Sequence, residues 1–237
     1  EIMPSLVGSE MCIRDRLNGK EADIIIVPVR TSGSQTEAEG ISLFVVESDL
    51  PGITKNNYKT VDGHSASEII FKNVEVNKDN LLGELGKGYQ TLESTIDDAI
   101  LAVCAEATGI MKSLHDKTVE YSKNRVQFGV PIGGFQALQH RMVDTLMACE
   151  ETESILLWAL TTNQDDSSSL KKAISGLKYQ IGTAGKHVGQ EAVQLHGGMG
   201  ISWELDIAHY FKRLSSIEIL FGNADFHMKR FLTLSNN

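Results

Sequence analysis

Cysteine is scarce in this chain. Only Cys12, Cys104 and Cys149 occur, far apart and odd in number. That argues against a disulfide framework or a zinc ribbon and points to a reducing compartment, with the cytoplasm as the default. Long apolar runs are lacking too. No stretch approaches the ~18 apolar residues that mark a membrane-spanning helix, and no basic segment leads into an apolar one at the start, as a secretory signal would require. Positive charge is in deficit: 22 Lys and Arg stand against 31 Asp and Glu, a formal charge of −9. A nucleic-acid partner is therefore not expected, because phosphate backbones are met by clustered cations. A phosphate-bearing small molecule, held by a few local cations, is still allowed. The seven histidines show no HxxxH, HExxH or Cys-partnered spacing, so no metal site is expected. There is no GxSxG elbow and no internal repeat.

What is present is ordinary in amount and specific in order. A chain of 237 residues with 41% hydrophobic content suits one large domain or two small ones with a real core. The opening "EIMPSLVGSEMCIRDR" has neither strand alternation nor helical period. Residues 5–16 resemble a translated sequencing adapter, so residues 1–16 are read as a non-native leader and left out of the fold. Residues 17–84 read as strands. "ADIIIVPVR", "EGISLFVVES" and "SASEIIFKNVEV" are the apolar runs, with turn chemistry in "SGSQTEAEG" and "DLPGITKNN" between them. They suggest a small antiparallel sheet or barrel. After "GELGKG" the period changes. Leu92, Ile96, Ile100, Val103, Ala107, Ile110 and Leu114 mark one face of a helix over 89–123. "NRVQFGVPIGG" ends it at glycines and Pro131. A second helix follows over 135–162, a third from an N-cap at Ser169 to about Leu195, and two shorter ones over 203–215 and 223–233. The fold class is thus α+β: a partial antiparallel β domain over 17–84, then an up-down four-helix bundle over 85–237.

Three motifs carry chemistry. "RVQFG" puts Arg125 and Phe128 at a helix exit, where a guanidinium suits a pyrophosphate and a ring can cover a flat heterocycle. A helix-end cation and a core Phe explain the same residues blandly. "QLHGGMG" is more informative. A helix stop needs one glycine, but three stand within four residues, enough for close backbone approach to an anion at Gly197 and Gly198, with the Gln194 amide beside them. It is not GxGxxG, and no βαβ unit surrounds it, so a Rossmann site is not expected. "FQALQH" sets Gln136 and Gln139 at a helix start. His209 and His227 read as structural.

In this order, "NRVQFGVPIGGFQALQHRMVD" and "QLHGGMGISWELDIAHYFKRL" resemble the acyl-CoA dehydrogenase family over about residues 17–234. "CAEATG", "HYFKRL" and "FGNAD" resemble in particular the type of the bacterial pimeloyl-CoA dehydrogenase small subunit. The resemblance implies that an N-terminal helical domain and the start of the β domain are missing. It implies FAD held between subunits, with Arg125 and Phe128 reaching a neighbour's FAD, Gln194, Gly197 and Gly198 at its adenine and pyrophosphate, and Gln136 at the adenosine end. It also implies an acyl-CoA substrate, an electron-transferring flavoprotein as acceptor, and a dimer or tetramer. The chain departs from the family's pattern at the base. A glutamate stands before a late glycine in many members; here Phe221 precedes Gly222. The other family position, a glutamate followed by arginine on the first bundle helix, matches Ala99 and Ile100. Three readings follow: a base-less subunit sharing FAD with a sister subunit; a self-sufficient enzyme using Glu218 or Asp225, about one helical turn either side of Phe221; or a helical scaffold without flavin.

Overall fold

The computed structural model describes residues 12–162 and 166–236. Contacts divide the chain into two units, 1–95 and 96–237. The first holds two three-stranded antiparallel sheets. One has the order β1 (Cys12–Leu17), β5 (Ser65–Phe71), β4 (Ile53–Lys59). The other has the order β2 (Ile24–Arg30), β3 (Ile41–Glu47), β6 (Leu81–Leu82). Among the described residues the central strands β3 and β5 are the most buried. Phe44, Val46, Ile69 and Phe71 meet Val74 and Val76 in one core. Pro28 is tolerated because β2 is an edge strand with no further ladder to serve.

Two readings of this unit need correction. "ITKNN", taken as a turn, lies in strand β4. Ile53 and Thr54 suit a strand, and the disfavoured asparagines after them are paired across the ladder: Asn56 donates to Glu68 at 2.9 Å, and Ser67 donates to Asn57 at 2.6 Å. Cross-strand polar pairs substitute for the missing apolar alternation. Residues 12–16, left out of the fold on the sequence, run as most of β1 along β5. A ladder bonds backbone to backbone and is tolerant of sequence, and the open edge of β5 offers unpaired groups to any extended segment. The first eleven residues lie outside the described part.

The second unit is helical. Helix α1 (Gly88–Asn124) begins in the first unit and continues through the second. It is followed by α2 (Gln136–Thr161), α3 (Ser167–His196), α4 (Ile207–Ile219) and α5 (Ala224–Ser235). Helix α1 buries Ile100, Cys104, Ala107, Met111 and Leu114. Their alternating spacing of four and three residues puts them on one stripe. Helix α3 lies at the centre and packs on α2, α4 and α5. Gly189 makes that close packing feasible, since a Cβ there would sit 2.7 Å from the Phe211 ring. The third helix is capped by Asp166, not Ser169: the Asp166 carboxylate accepts the Ser169 N–H at 3.2 Å. Serine and aspartate are both good caps, and the sequence has both here. The fourth helix starts later than read, because a 3₁₀ segment over Gly197–Ile201 and a turn occupy the chain first.

Candidate functional site

The exit of α1 is a two-residue β-hairpin. Val126–Gln127 (β7) pairs with Val130–Pro131 (β8), and Phe128 and Gly129 form the turn with φ of +53° and +81°. Both central residues at positive φ define the tight turn that matches strand twist. Glycine adopts it freely, but phenylalanine is strained there by ~1 kcal/mol or more. The ring gains little burial in return: Phe128 is 93% exposed and stands edge-on to the Phe135 ring at 6.3 Å. Arg125 is exposed at the hairpin's base, where its N–H bonds the Tyr121 carbonyl and its own carbonyl receives Ile132 N–H, each at 2.8 Å. Gln136 opens α2 and is exposed; Gln139 turns back to the Gly133 carbonyl at 2.8 Å.

The glycine turn lies at the same end of this unit. Tyr121 stacks on His196 at 4.3 Å, and its hydroxyl donates to the His196 carbonyl at 3.4 Å. The end of α1 is thereby joined to the end of α3. His196 is buried, its Nδ1 lies 2.8 Å from the Ala192 carbonyl, and burial pulls its pKa below the usual value. The three glycines differ in role. Gly200 is buried, and a Cβ there would collide with the Val193 backbone. Gly197 (φ +59°) and Gly198 are exposed, and a Cβ on either would meet nothing within 4 Å. That leaves an open backbone seat with Gln194 exposed beside it. Tyr121 and His196 were missed from the sequence, although Tyr121 stands one helical turn before Arg125. Lys212 and Arg213 are not part of the seat. Lys212 lies over the Trp203 ring at 4.0 Å, and Arg213 grips Glu106 at 2.6 and 2.7 Å.

The turn between α4 and α5 holds the residue before Gly222. Phe221 has φ +57° and Gly222 φ +100°. His227 donates from Nε2 to the Phe221 carbonyl at 2.9 Å. Lys178, with no exposure at all, donates from Nζ to the carbonyls of Glu218 at 2.9 Å and Gly222 at 2.8 Å. Burial lowers the Lys178 pKa and pushes that of His227 down to about 4. Glu218 is half-buried and accepts the Ala224 N–H at 3.3 Å, while Asp225 is exposed in the first turn of α5. On α1, Ala99 is half-buried and Ile100 fully buried. Asp97 has no arginine in its own turn, but the fold brings one from α5: Arg230 binds it in a fork at 2.7 and 2.9 Å. Among the described residues no group of side chains could hold a metal ion, and no helix is long and apolar enough to cross a membrane.

An antiparallel β unit followed by a helical unit, which ends in an outward aromatic and an open glycine turn, defines an α+β class. The sequence profile described as "Acyl-CoA dehydrogenase, C-terminal domain" matches residues 86–232, and the chain belongs to the acyl-CoA dehydrogenase family. It is 32% identical over 227 residues to the short-chain specific acyl-CoA dehydrogenase of Megasphaera elsdenii, covering 92% of this chain and 56% of that protein. It is 29% identical over 207 residues to the caffeyl-CoA reductase-Etf complex subunit CarC of Acetobacterium woodii, covering 83% and 54%. The crystal structure of an acyl-CoA dehydrogenase from Geobacillus kaustophilus superposes with a TM-score of 0.85 at 27% identity, covering 93% of this chain and 59% of that one. The chain thus spans about half the length of the curated relatives it matches.

Proposed function

We propose that this chain is part of an FAD-dependent acyl-CoA dehydrogenase subunit that lacks its own catalytic base and works beside a sister subunit. Residues 17–84 would be part of the family's middle β domain, and residues 85–237 its up-down four-helix bundle. The residues present fit FAD. Gly197 and Gly198 offer unobstructed backbone beside Gln194, Arg125 offers a guanidinium for the pyrophosphate, and Phe128 offers a solvent-facing ring. Gln136 would reach the adenosine end. When bound, the flavin supplies the acceptor for the hydride leaving the acyl β-carbon. The Phe128 ring gains little burial within its own chain, which supports a role on a neighbour's FAD in a dimer or tetramer. An electron-transferring flavoprotein would take the electrons onward, in keeping with the Etf complex to which the A. woodii relative belongs.

The observation that carries the base-less reading is the α4–α5 turn, where Phe221 stands in the left-handed conformation before Gly222. A phenyl ring accepts no proton. Glu218, the nearest carboxylate upstream, already accepts the first free N–H of α5, and Ala99 and Ile100 are apolar. General-base help is worth ~10²–10⁴-fold in rate, so the chain alone should turn over slowly. The protein expressed from its complete gene, loaded with FAD and mixed with a panel of acyl-CoAs, is expected to keep its visible flavin absorbance until the sister subunit is added. Bleaching by the isolated protein would overturn the reading, and its loss in Glu218→Gln would move the base there.

A further inference from the structure

We infer that Lys178 and His227 are positioning residues that together clamp the Phe221–Gly222 backbone, so that the turn presents whatever side chain stands at position 221. The inference rests on the reading above of this position as the one where a base stands in related enzymes. It goes beyond that reading by naming what holds the position.

Three carbonyls here, that of Glu218 in the last turn of α4 and those of Phe221 and Gly222 in the turn itself, each receive a hydrogen bond from a buried donor. Lys178 reaches in from α3, and His227 from the first turns of α5. Neither donor is needed merely to end a helix, since exposed C-terminal carbonyls are commonly met by water or by a glycine turn. Both donors have a cost. A wholly buried ammonium has lost its hydration, and what offsets that here is the pair of carbonyls it bonds together with the nearby Glu218 charge. The imidazole Nδ1 of His227 is buried with no hydrogen-bond partner among the described residues. Phe221 adds strain, because a bulky side chain at positive φ is unfavourable. Its ring is 39% exposed and not part of the helical core. The side chain at 221 therefore does not create the turn; the two donors do. A carboxylate placed there would be held by the same backbone. It would take the α-proton of an acyl-CoA thioester, leaving the enolate. Returning a solvent deuteron to that carbon would close the cycle with no net redox change.

Two measurements separate the clamp from the functional reading. The first needs neither flavin nor substrate. With 4-fluorophenylalanine incorporated at position 221, the ¹⁹F spectrum should show one narrow line. The line should persist in His227→Gln, whose amide can still donate to the Phe221 carbonyl, and should broaden or split in His227→Leu and Lys178→Met. An identical line in all four proteins overturns the clamp. If Lys178→Met does not fold, the His227 pair decides. The second follows α-deuterium uptake by butyryl-CoA and octanoyl-CoA in D₂O on the FAD-loaded protein without a partner. Phe221→Glu should raise uptake ~10²-fold or more over the unsubstituted protein. Adding His227→Leu should remove at least ~10-fold of that gain, and adding His227→Gln should not. Equal uptake with Leu and Gln overturns the clamp. Uptake by the unsubstituted protein as fast as by Phe221→Glu overturns the base-less reading and leaves the ¹⁹F result to judge the clamp. No uptake by Phe221→Glu with either thioester overturns the assignment of position 221 as the base position.

Discussion

A buried histidine whose second ring nitrogen has no acceptor among the described residues is held neutral, and this fixes how the molecule responds to acid. The carbonyl of Phe221 can only accept, so His227 carries its proton on Nε2. Burial first, and then the Lys178 and Arg230 charges, push its pKa down to about 4 against the bond to Phe221 and the Asp97 charge. In the unfolded chain it titrates near ~6.5. Between those values the unfolded state binds more protons than the folded one. The stability contribution is therefore complete above ~6.5 and is lost as pH falls toward 4, by up to ~3 kcal/mol. Urea unfolding from pH 7 to 4.5 should show a shallower loss for His227→Gln than for the unsubstituted protein. The Asp97–Arg230 fork is a second buried polar contact of this unit. Its side chains are only 6% and 18% exposed, so Asp97→Asn alone should cost ~3 kcal/mol, while Asp97→Asn with Arg230→Met should cost clearly less, because no buried charge is then stranded. Equal losses in the single and double variants would show the pair to be a solvent-screened contact. None of this was legible in the sequence. Asp97 and Arg230 are far apart along the chain, and only the fork from α1 to α5 shows that the arginine absent from Asp97's turn comes from elsewhere.

Elements were legible where periodicity is strong and obscure where polar pairing replaces it. The helical stripe of α1 could be read from Leu92 to Leu114, because one face is apolar at helical spacing. Strand β4 could not, since Asn56 and Asn57 give no apolar alternation and their partners on β5 are unknowable without the register. The cap of α3 lies between these cases: the chemistry was visible, and the choice between Asp166 and Ser169 was not. Asp166→Ala should lower stability by ~1 kcal/mol and Ser169→Ala by much less, measured as shifts in the chemical-denaturation midpoint. The end of α1 was signalled by the glycines and proline of 126–131, but neither the hairpin there nor the left-handed Phe128 was, since propensity disfavours that conformation.

At the scale of the whole molecule, the residues proposed to hold flavin are drawn to one end of the helical unit by a contact the sequence did not announce, the stack of Tyr121 on His196. Arg125→Ala should weaken FAD binding ~10–100-fold, as loss of a charge-assisted contact does, and Phe128→Ser ~10-fold, as loss of an aromatic contact does. Titration of the apoprotein with FAD, followed by flavin fluorescence, measures both. Affinities unchanged in both variants would separate this end of the bundle from the cofactor.

The ring of Phe128 has a further consequence for the life of the protein in a cell. An aromatic held in solvent on a strained hairpin is the kind of feature that chaperones and proteases engage when a subunit has no mate. Production of this chain without its companion should therefore shorten its half-life, and Phe128→Ser should lengthen the half-life of the unassembled chain in a pulse-chase experiment. The surface that recognises a neighbour would then also set how many copies survive without one.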